Sequence, residues 1–265
     1  MNKFSDGDPQ YLRDEQYVDG SKLGDRMNLH DRFSINPQGW HRWVFEQLAL
    51  MPGAQVLEAA CGTGALWAKN ADRLPDGMEL TVTDFSAGMV DTTADALTGI
   101  AGIRSQVADV QDLPFADDSY DVVVCNHALY HVPDRARAAA ELRRVLRPGG
   151  LACVATNGMA HLTEFQELRR RHVPDEPIDD TSEVFGLETG EEQLATAFDS
   201  IECRRYDDGL RVTEVEPLLA FLLSTPMGEA LDEPARAALT GEIERVVADN
   251  GHFAVTKDAG LFLCR

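Results

Sequence analysis

The strongest constraint on the fold is the stretch VLEAACGTGALW, which runs from Val56 to Trp67. An apolar segment leads into a turn that contains Gly62 and Gly64, and residues typical of a helix follow the turn. A strand, a tight glycine turn and a helix in this order are typical of nucleotide-binding sites in open parallel sheets. The stretch therefore predicts an α/β fold that binds a nucleotide.

The same alternation of strand and helix continues as far as Asn157. The predicted strands are QVLEAAC, ELTVTDF, IRSQVAD, YDVVVCN and LACVATN, and the predicted helices are ALWAKNADRL, SAGMVDTTADALTG and PDRARAAAELRRVLRPGG. Apolar strands that alternate with helices favour a mainly parallel sheet with helices on both faces. We expect a helical lead-in or cap at 1–50, a nucleotide-binding core at 51–157, and lid helices with terminal strands that complete the sheet at 158–265.

The segments outside the core are less regular. In the lead-in, Ser21 is placed to begin a helix that ends near His30, and WHRWVFEQLAL has an amphipathic pattern. After the core, we predict helices at His161–His172, EEQLATAF, Val215–Ser224 and Pro234–Asn250, a strand at IECRRYDD, and a strand or a hairpin at HFAVTKDAGLFLCR. The acidic segment VPDEPIDDTSE is predicted to be a loop.

Composition excludes several classes of function. The formal net charge of −21 disfavours nucleic acid as the main partner, and we expect the one compact basic run, Arg169–Arg171, to be a solvated helix face. No apolar run approaches the roughly 20 residues that a membrane span needs, and the polar start of the chain predicts a cytoplasmic protein. The five cysteines show no metal-ligand spacing, so we expect free thiols and no bound metal.

Two common nucleotide motifs do not fit the glycine turn. In a dinucleotide-binding pattern, the third glycine would fall on Trp67, and an indole would obstruct the close packing of helix on strand. No Gly-Lys-Ser/Thr follows, which excludes a phosphate-binding loop of the Walker type. Three acids remain: Glu58 lies within the first predicted strand, and Asp84 and Asp109 end the second and the third. Asp84 is placed to accept hydrogen bonds from ribose hydroxyls, and Asp109 to accept one from an adenine amine.

At this point the chain resembles a known family. VLEAACGTG, TVTDFSAGM, VADVQDLPFADDSYDVVVCNHALYHV and RVLRPGG are similar to the successive motifs of class I S-adenosylmethionine-dependent methyltransferases, nearest to the small-molecule and quinone-biosynthesis branch. The resemblance covers about residues 55 to 157. It implies a Rossmann-like fold, S-adenosylmethionine as cofactor, S-adenosylhomocysteine as product, and a small-molecule acceptor.

The resemblance also implies a set of cofactor-binding residues. Glu58 is a charge within an apolar strand, which is costly without a partner, so contact with the methionine end of the cofactor explains it best. The family's first glycine is replaced by Ala60, whose methyl group is tolerable only if the backbone keeps an ordinary conformation. The expected cofactor-binding residues are Glu58, Ala60, Cys61, Gly62, Gly64, Asp84, Phe85, Met89, Asp109, Val110, Asn126 and His127.

The catalytic residues are less well determined by the sequence. Tyr130 and His131 follow the fourth strand, where the acceptor should approach, although a structural role in the turn before Pro133 explains His131 equally well. From the lead-in, His30 and Tyr17 are candidates to cap the site or to deprotonate the acceptor. Side chains expected to cover the cofactor or the acceptor are Phe33, Asn36, Trp40, Trp43, Phe165, Phe221, Leu222 and Leu223.

Several alternatives remain open at this level. An NAD-dependent dehydrogenase is the competing enzyme class. A cofactor-binding module without turnover is favoured by Ala60 and by the absence of an unambiguous base. A macromolecular acceptor is disfavoured by the net charge of −21. We expect a small, largely apolar acceptor that carries a hydroxyl, an amine or an activated carbon and is methylated under a closing lid. The pattern does not specify an oligomeric state.

Overall fold

The computed structural model describes residues 9–11, 21–174, 181–225, 228 and 230–265. Its strands are β1 Gln55–Ala59, β2 Glu79–Asp84, β3 Ile103–Val107, β4 Tyr120–Asn126, β5 Leu146–Asn157, β6 Ile201–Val212 and β7 Phe253–Cys264. Its helices are α1 Pro9–Tyr11, α2 Ser21–Phe33, α3 Trp40–Gln47, α4 Ala65–Ala68, α5 Ala87–Ala96, α6 Arg135–Val145, α7 Thr163–His172, α8 Thr181–Val184, α9 Gly190–Leu194, α10 Val215–Leu223 and α11 Glu233–Asn250. Single 3-10 turns lie at Ala71–Arg73 and Leu129–His131.

The described strands form one seven-stranded sheet in the order β3-β2-β1-β4-β5-β7-β6. Strands β1 to β5 are parallel, and β7 lies antiparallel between β5 and β6. The predicted α/β, Rossmann-like fold with a mainly parallel sheet is therefore confirmed. Because β1 pairs with β2 on one side and with β4 on the other, the strand order reverses at β1. Ligands of open α/β sheets bind beside such a reversal, outside the carboxyl ends of the strands.

Two apolar clusters cover the two faces of the sheet. Alternate residues of β1 divide between them, with Leu57 in the cluster beneath α6 and Val56 in the cluster beneath α3 and α4. Both side chains are fully buried. A strand that is apolar on both faces is typical of a sheet covered by helices on both sides, as the sequence predicts.

A third apolar cluster lies beyond the carboxyl ends of the strands. Strand β5 ends at Asn157, opposite Ala259, whereas β6 and β7 stay paired as far as Val212 and Phe253. We call this extension, 207–212 with 253–258, together with α2, α7, α10 and α11, the cap. Its buried side chains are Leu29, Phe33, Phe165, Leu168, Val173, Leu210, Val212, Leu218, Phe221, Leu222, Leu239, Ile243, Phe253 and Val255.

Some element boundaries differ from those that the sequence predicts. The helix after the glycine turn ends at Ala68, because buried Asn70 Nδ2 donates to Leu66 O at 2.7 Å and His41 O at 3.1 Å and leads the chain out of the helix. Helix α6 ends at Val145, and RPGG belongs to β5, where the register with β4 shifts. The predicted strand IECRRYDD extends to Val212, and the final segment is one strand.

The acidic segment between α7 and α9 is only partly described. Residues 175–180 lie outside the described residues, and Thr181–Val184 forms α8 rather than a loop. Tyr17, considered as a base, also lies outside them.

None of the described helices combines the length and the apolar character that crossing a membrane requires. All five cysteines are free, and burial raises the pKa of Cys125 to about 12.

Candidate active site

A cavity of about 880 Å³ lies between the carboxyl ends of the strands and the cap. Fourteen of the residues that the sequence predicts for the site line this cavity, and Gly64 is not among the lining residues. The predicted residues that the fold brings together here are His30, Glu58, Ala60, Cys61, Gly62, Asp84, Phe85, Met89, Asp109, Val110, Asn126, His127, Tyr130 and His131.

The glycine turn owes its shape to three left-handed residues. Ala60, Gly62 and Gly64 have φ of 60°, 56° and 70°. Gly64 has a packing role, because a Cβ atom there would lie 2.8 Å from Thr93 Cγ2 on α5. The condition for tolerating a methyl group at Ala60, an ordinary backbone, is not met: the residue that replaces the family's first glycine keeps a glycine conformation, which is strained for alanine.

Glu58 lies at the base of the cavity and is only 3% exposed. Trp67 Nε1 donates to its Oε2 at 2.6 Å, so the indole that excludes a dinucleotide motif holds the carboxyl group in place. The pKa of Glu58 is raised to about 8, mainly by burial and also by the charge of Asp84, while hydrogen bonds from Trp67 and Asn126 act in the opposite direction. Asn126 Oδ1 is buried and has no hydrogen-bond partner among the described residues.

The other two acids are tied into the turns that carry them. Asp84 Oδ2 accepts from Gly62 N at 3.0 Å, and Oδ1 accepts from Ser86 N at 2.9 Å. Burial raises the pKa of Asp84. Asp109 Oδ1 accepts from the backbone N of Gln111 at 2.8 Å, so this acid also forms a turn. A carboxylate has about four lone-pair sites, and both acids therefore retain acceptor capacity toward the cavity.

These residues fit S-adenosylmethionine. A buried glutamate with a raised pKa and an unsatisfied Asn126 Oδ1 suit the cationic methionine end of that molecule. Phe85 is 38% exposed although it is a large apolar side chain, and it lines the cavity beside buried Met89 and Val110. Such apolar surface next to two carboxylates suits the adenosine part.

Four histidines surround the other part of the cavity: His30, His41, His127 and His161. Burial lowers the pKa of His30 well below its ordinary value, and lowers the pKa of His41 and His161 to about 3 and of His127 to about 4. All four imidazoles are therefore neutral at pH 7 and weak as bases. For His30 this favours hydrogen bonding over the proton abstraction considered from the sequence.

Tyr130 and His131 lie in the 3-10 turn after β4. Their rings meet at 73° with the centroids 4.6 Å apart, and both residues line the cavity. Their position in the cavity wall is consistent with contact to the acceptor, and their position in a tight turn is consistent with a purely structural role. Their catalytic assignment stays a prediction.

The cap and the segment from Asn36 to Trp40 supply part of the cover that the sequence predicts. Asn36, Trp40, Phe165, Phe221 and Leu222 line the cavity, whereas Phe33, Trp43 and Leu223 are not among the lining residues. Phe33 packs inside the cap, and Trp43 packs against the cluster beneath α3.

Sequence reasoning missed several polar residues of the cavity, among them His161, Gln166 and Lys257. It also described Arg169–Arg171 as a solvated face, which is wrong for Arg169: that side chain is only 9% exposed and lines the cavity. Residues four apart lie on the same face of a helix, so the spacing of Arg169 from Phe165 was the available signal.

Comparisons with known proteins agree with this geometry. Residues 57–154 match the family model described as a methyltransferase domain. The chain is 33% identical over 147 residues to the ubiquinone/menaquinone biosynthesis C-methyltransferase UbiE of Geotalea daltonii, and 28% identical over 148 residues to a demethylmenaquinone methyltransferase of Staphylococcus aureus. These matches cover 54% and 56% of this chain and span 62% and 61% of the relatives' length.

A solved structure resembles nearly the whole chain. It is phosphoethanolamine N-methyltransferase 2 of Haemonchus contortus in complex with S-adenosyl-L-methionine, with a TM-score of 0.58 and 18% identity. The match covers 96% of this chain and 58% of that chain, and at this identity it shows the fold alone. Residues 57–154 thus match a methyltransferase domain, and the fold of nearly the whole chain resembles that of a methyltransferase of known structure.

Proposed function

We propose that this chain transfers a methyl group from S-adenosylmethionine to a small, largely apolar acceptor. The observation that carries the proposal is the continuity of one cavity of about 880 Å³ from the acids of the sheet to the aromatic and histidine side chains beneath the cap. Its volume lies within the range of about 300–1,000 Å³ that is usual for small-molecule sites. One continuous space has room for a cofactor and an acceptor side by side.

Each part of the cavity has a role in this proposal. Glu58, Asn126 and the glycine turn hold the methionine end of the cofactor, Asp84 the ribose, and Asp109 the adenine amine. When bound, the cofactor supplies a methyl group on a sulfonium. The chain positions the acceptor and excludes water beneath the cap, which is where much of the rate of a methyl transfer arises. We assign Tyr130 and His131 to the wall that meets the acceptor.

The quinone type is the acceptor class that the relatives' names support. A quinol has an apolar ring system with hydroxyl groups, and it suits a wall formed by Trp40, Phe165, Phe221 and Leu222. The remaining candidates, a binding module without turnover and a macromolecular substrate, have no comparable observation in their favour.

Isotope labelling tests the proposal. The chain is incubated with methyl-labelled S-adenosylmethionine and a metabolite extract enriched in quinones and phenols, and products are identified by mass spectrometry. We expect label on a small apolar molecule, and loss of that label when Asp84→Ala weakens cofactor binding. Label found only on protein or RNA would contradict the acceptor class. Tighter calorimetric binding of NAD than of S-adenosylmethionine would contradict the enzyme class.

A further inference from the structure

One end of the cavity holds a buried ion pair, where the cap meets the sheet. Lys257 Nζ on β7 donates to Oδ2 of its cross-strand neighbour Asp208 at 2.6 Å. The two side chains are 6% and 0% exposed. Asp208 also accepts from Ser34 Oγ at 2.6 Å and from Asn36 N at 3.0 Å. Three donors thus satisfy the carboxylate, while the ammonium, which has three N–H donors, retains capacity for a further acceptor.

The ion pair presents its positive end to the cavity. Lys257 is one of the lining residues, and Asp208 lies behind it, outside the lining. Burial is the main cause that lowers the pKa of His30, His127 and His161, and the charge of Lys257 lowers all three further. Lys257 Nζ also lies 5.3 Å from the centroid of the Tyr206 ring. Asp208 offsets part of this charge, but the ammonium lies between the carboxylate and the cavity, so an anion in the cavity meets the positive end of the pair with little water to screen it.

Neutral hydrogen-bond donors accompany this charge. The Nδ1 atom of His161 accepts from Asp258 N at 3.3 Å, so the proton of the neutral ring is on Nε2, which makes Nε2 a donor. The His30 ring stacks on His161 with centroids 6.1 Å apart, and Phe221 contacts its edge at 5.8 Å. His30 Nδ1 is buried without a hydrogen-bond partner among the described residues. His30 lines the cavity, and a buried polar atom without a partner calls for an explanation, which a bound acceptor oxygen supplies.

We propose that Lys257, His30 and His161, backed by Asp208, form an oxyanion site that binds the acceptor as a phenolate or an enolate. The inference rests on the proposed function, whose quinone-type acceptor carries the required hydroxyl in its quinol form. On binding, the acceptor O–H bond breaks, the proton passes to solvent, and the electron pair stays on the oxygen beside the ammonium. A phenolate is a stronger nucleophile than a phenol, both at oxygen and at the ring carbons ortho and para to it, so no strong protein base is needed to activate the acceptor.

The bound pKa of a coloured phenol tests the site directly. 4-Nitrophenol is titrated with the full chain in the presence of S-adenosylhomocysteine, and its ionisation is followed by the phenolate absorbance. We expect the pKa of the bound phenol to fall by about 1–3 units, the effect of an opposite charge at close range. 4-Nitroanisole has nearly the same shape but no ionisable proton. At a pH above the pKa of 4-nitrophenol, it should bind more weakly than the phenolate does.

Paired substitutions separate charge from folding. Lys257→Met with Asp208→Asn removes both charges and keeps an oxygen that can accept from Ser34 and Asn36, so the bound phenol should regain a pKa near its value in water. Lys257→Arg retains the charge and should keep most of the lowered pKa. Arg104→Met with Glu79→Gln removes a solvent-exposed ion pair on β3 and β2 and should change nothing.

The outcomes distinguish this site from the proposed function. Failure of the wild-type chain to bind 4-nitrophenol, a bound pKa at or above the free value, or a lowered pKa that persists without Lys257 would overturn the oxyanion site, even if methyl transfer is observed. A lowered pKa that depends on Lys257 supports it, even if the label screen yields no product. Calorimetry with S-adenosylhomocysteine verifies that each variant keeps its cofactor site.

Discussion

Ala60 has a backbone conformation that alanine rarely adopts, at the point where β1 enters the glycine turn. Its φ of 60° places it in the left-handed region, and its side chain lines the cavity. The left-handed region costs an L-residue about 1–2 kcal/mol, because Cβ approaches the following carbonyl oxygen. The chain maintains this strain at the position where the resembling family carries glycine.

We therefore expect Ala60→Gly to stabilise the fold. Relief of the strain outweighs the greater freedom that glycine gives the unfolded chain, and the free energy of unfolding should rise by about 0.5–1 kcal/mol. Urea denaturation at neutral pH measures the difference. Ala59→Gly is the matched control. Ala59 is the buried last residue of β1, so glycine at this position should lower the free energy of unfolding. A destabilised Ala60→Gly variant would contradict the strain.

Glu58 should make cofactor binding depend on pH. With a pKa of about 8, the free carboxyl group is mostly protonated at pH 7, and a bound cation favours its charged form. Binding then releases a proton, so the affinity for S-adenosylmethionine should rise with pH up to about 8 and level off above it. Calorimetry from about pH 6 to 9 measures this. The ionisable groups of the cofactor contribute the same pH dependence in the wild-type chain and in Glu58→Gln. If both proteins show the same change of affinity with pH, Glu58 is not its cause.

At the scale of elements, β7 connects the sheet to the cap through a tightly packed glycine. A Cβ atom at Gly260 would lie 2.4 Å from Arg204 O on β6, a contact that the paired strands cannot relieve without moving apart. Gly241, within α11, has no atom within 4 Å of such a Cβ. The two glycines therefore differ in what alanine would do.

Gly260→Ala should lower the free energy of unfolding by about 1–3 kcal/mol through overpacking, and Gly241→Ala should raise it by about 0.5–1 kcal/mol through helix propensity. Thermal and urea denaturation of the two variants measure both effects. Equal stability of the two would mean that β6 and β7 separate easily at this junction.

The elements also show what the sequence could predict. The strand ends that carry Glu58, Asp84 and Asp109 follow from local patterns, since parallel strands bring their carboxyl ends to one edge of the sheet. The ion pair of Lys257 and Asp208 depends on the register of two strands separated by α10 and α11, and no local pattern specifies that pairing. The role of Trp67 could not be predicted either. In a sequence, a tryptophan whose indole N–H donates to a buried acid cannot be distinguished from one that only packs in the core.

For the whole molecule, the neutral histidines of the cavity couple stability to pH. His30, His41, His127 and His161 have folded-state pKa values below the ordinary 6.5, so the unfolded chain binds more protons than the folded chain in mildly acidic solution. Their contribution to stability is full above about pH 6.5 and is lost as the pH falls toward 4, by up to about 1.4 kcal/mol per pH unit for each histidine.

His41→Gln tests this coupling. The variant should lose stability less steeply than the wild-type chain between about pH 6.5 and 4.5, by an amount that corresponds to one proton. Urea denaturation at several pH values yields both slopes, and the carboxylates titrate alike in the two proteins. His252→Gln is the control, because that histidine lies in the bend before β7 and is not among the residues that line the cavity. Parallel slopes for His41→Gln and wild type would contradict the buried neutral state.

The continuous ladder of β6 and β7 has a consequence for how such a chain can diverge. The residues assigned to the cofactor belong to the sheet and its turns, whereas Lys257, His161 and His30 belong to the cap or its base. One part of the cap leaves the sheet at Asp207 and returns at Asp258, which are cross-strand neighbours, whereas α2 and α7 join the cap from elsewhere in the chain. Substitutions in these cap segments can therefore select a new ligand while the residues of the sheet and its turns are retained. Descendants of one ancestral protein can acquire different ligands through changes confined to the cap.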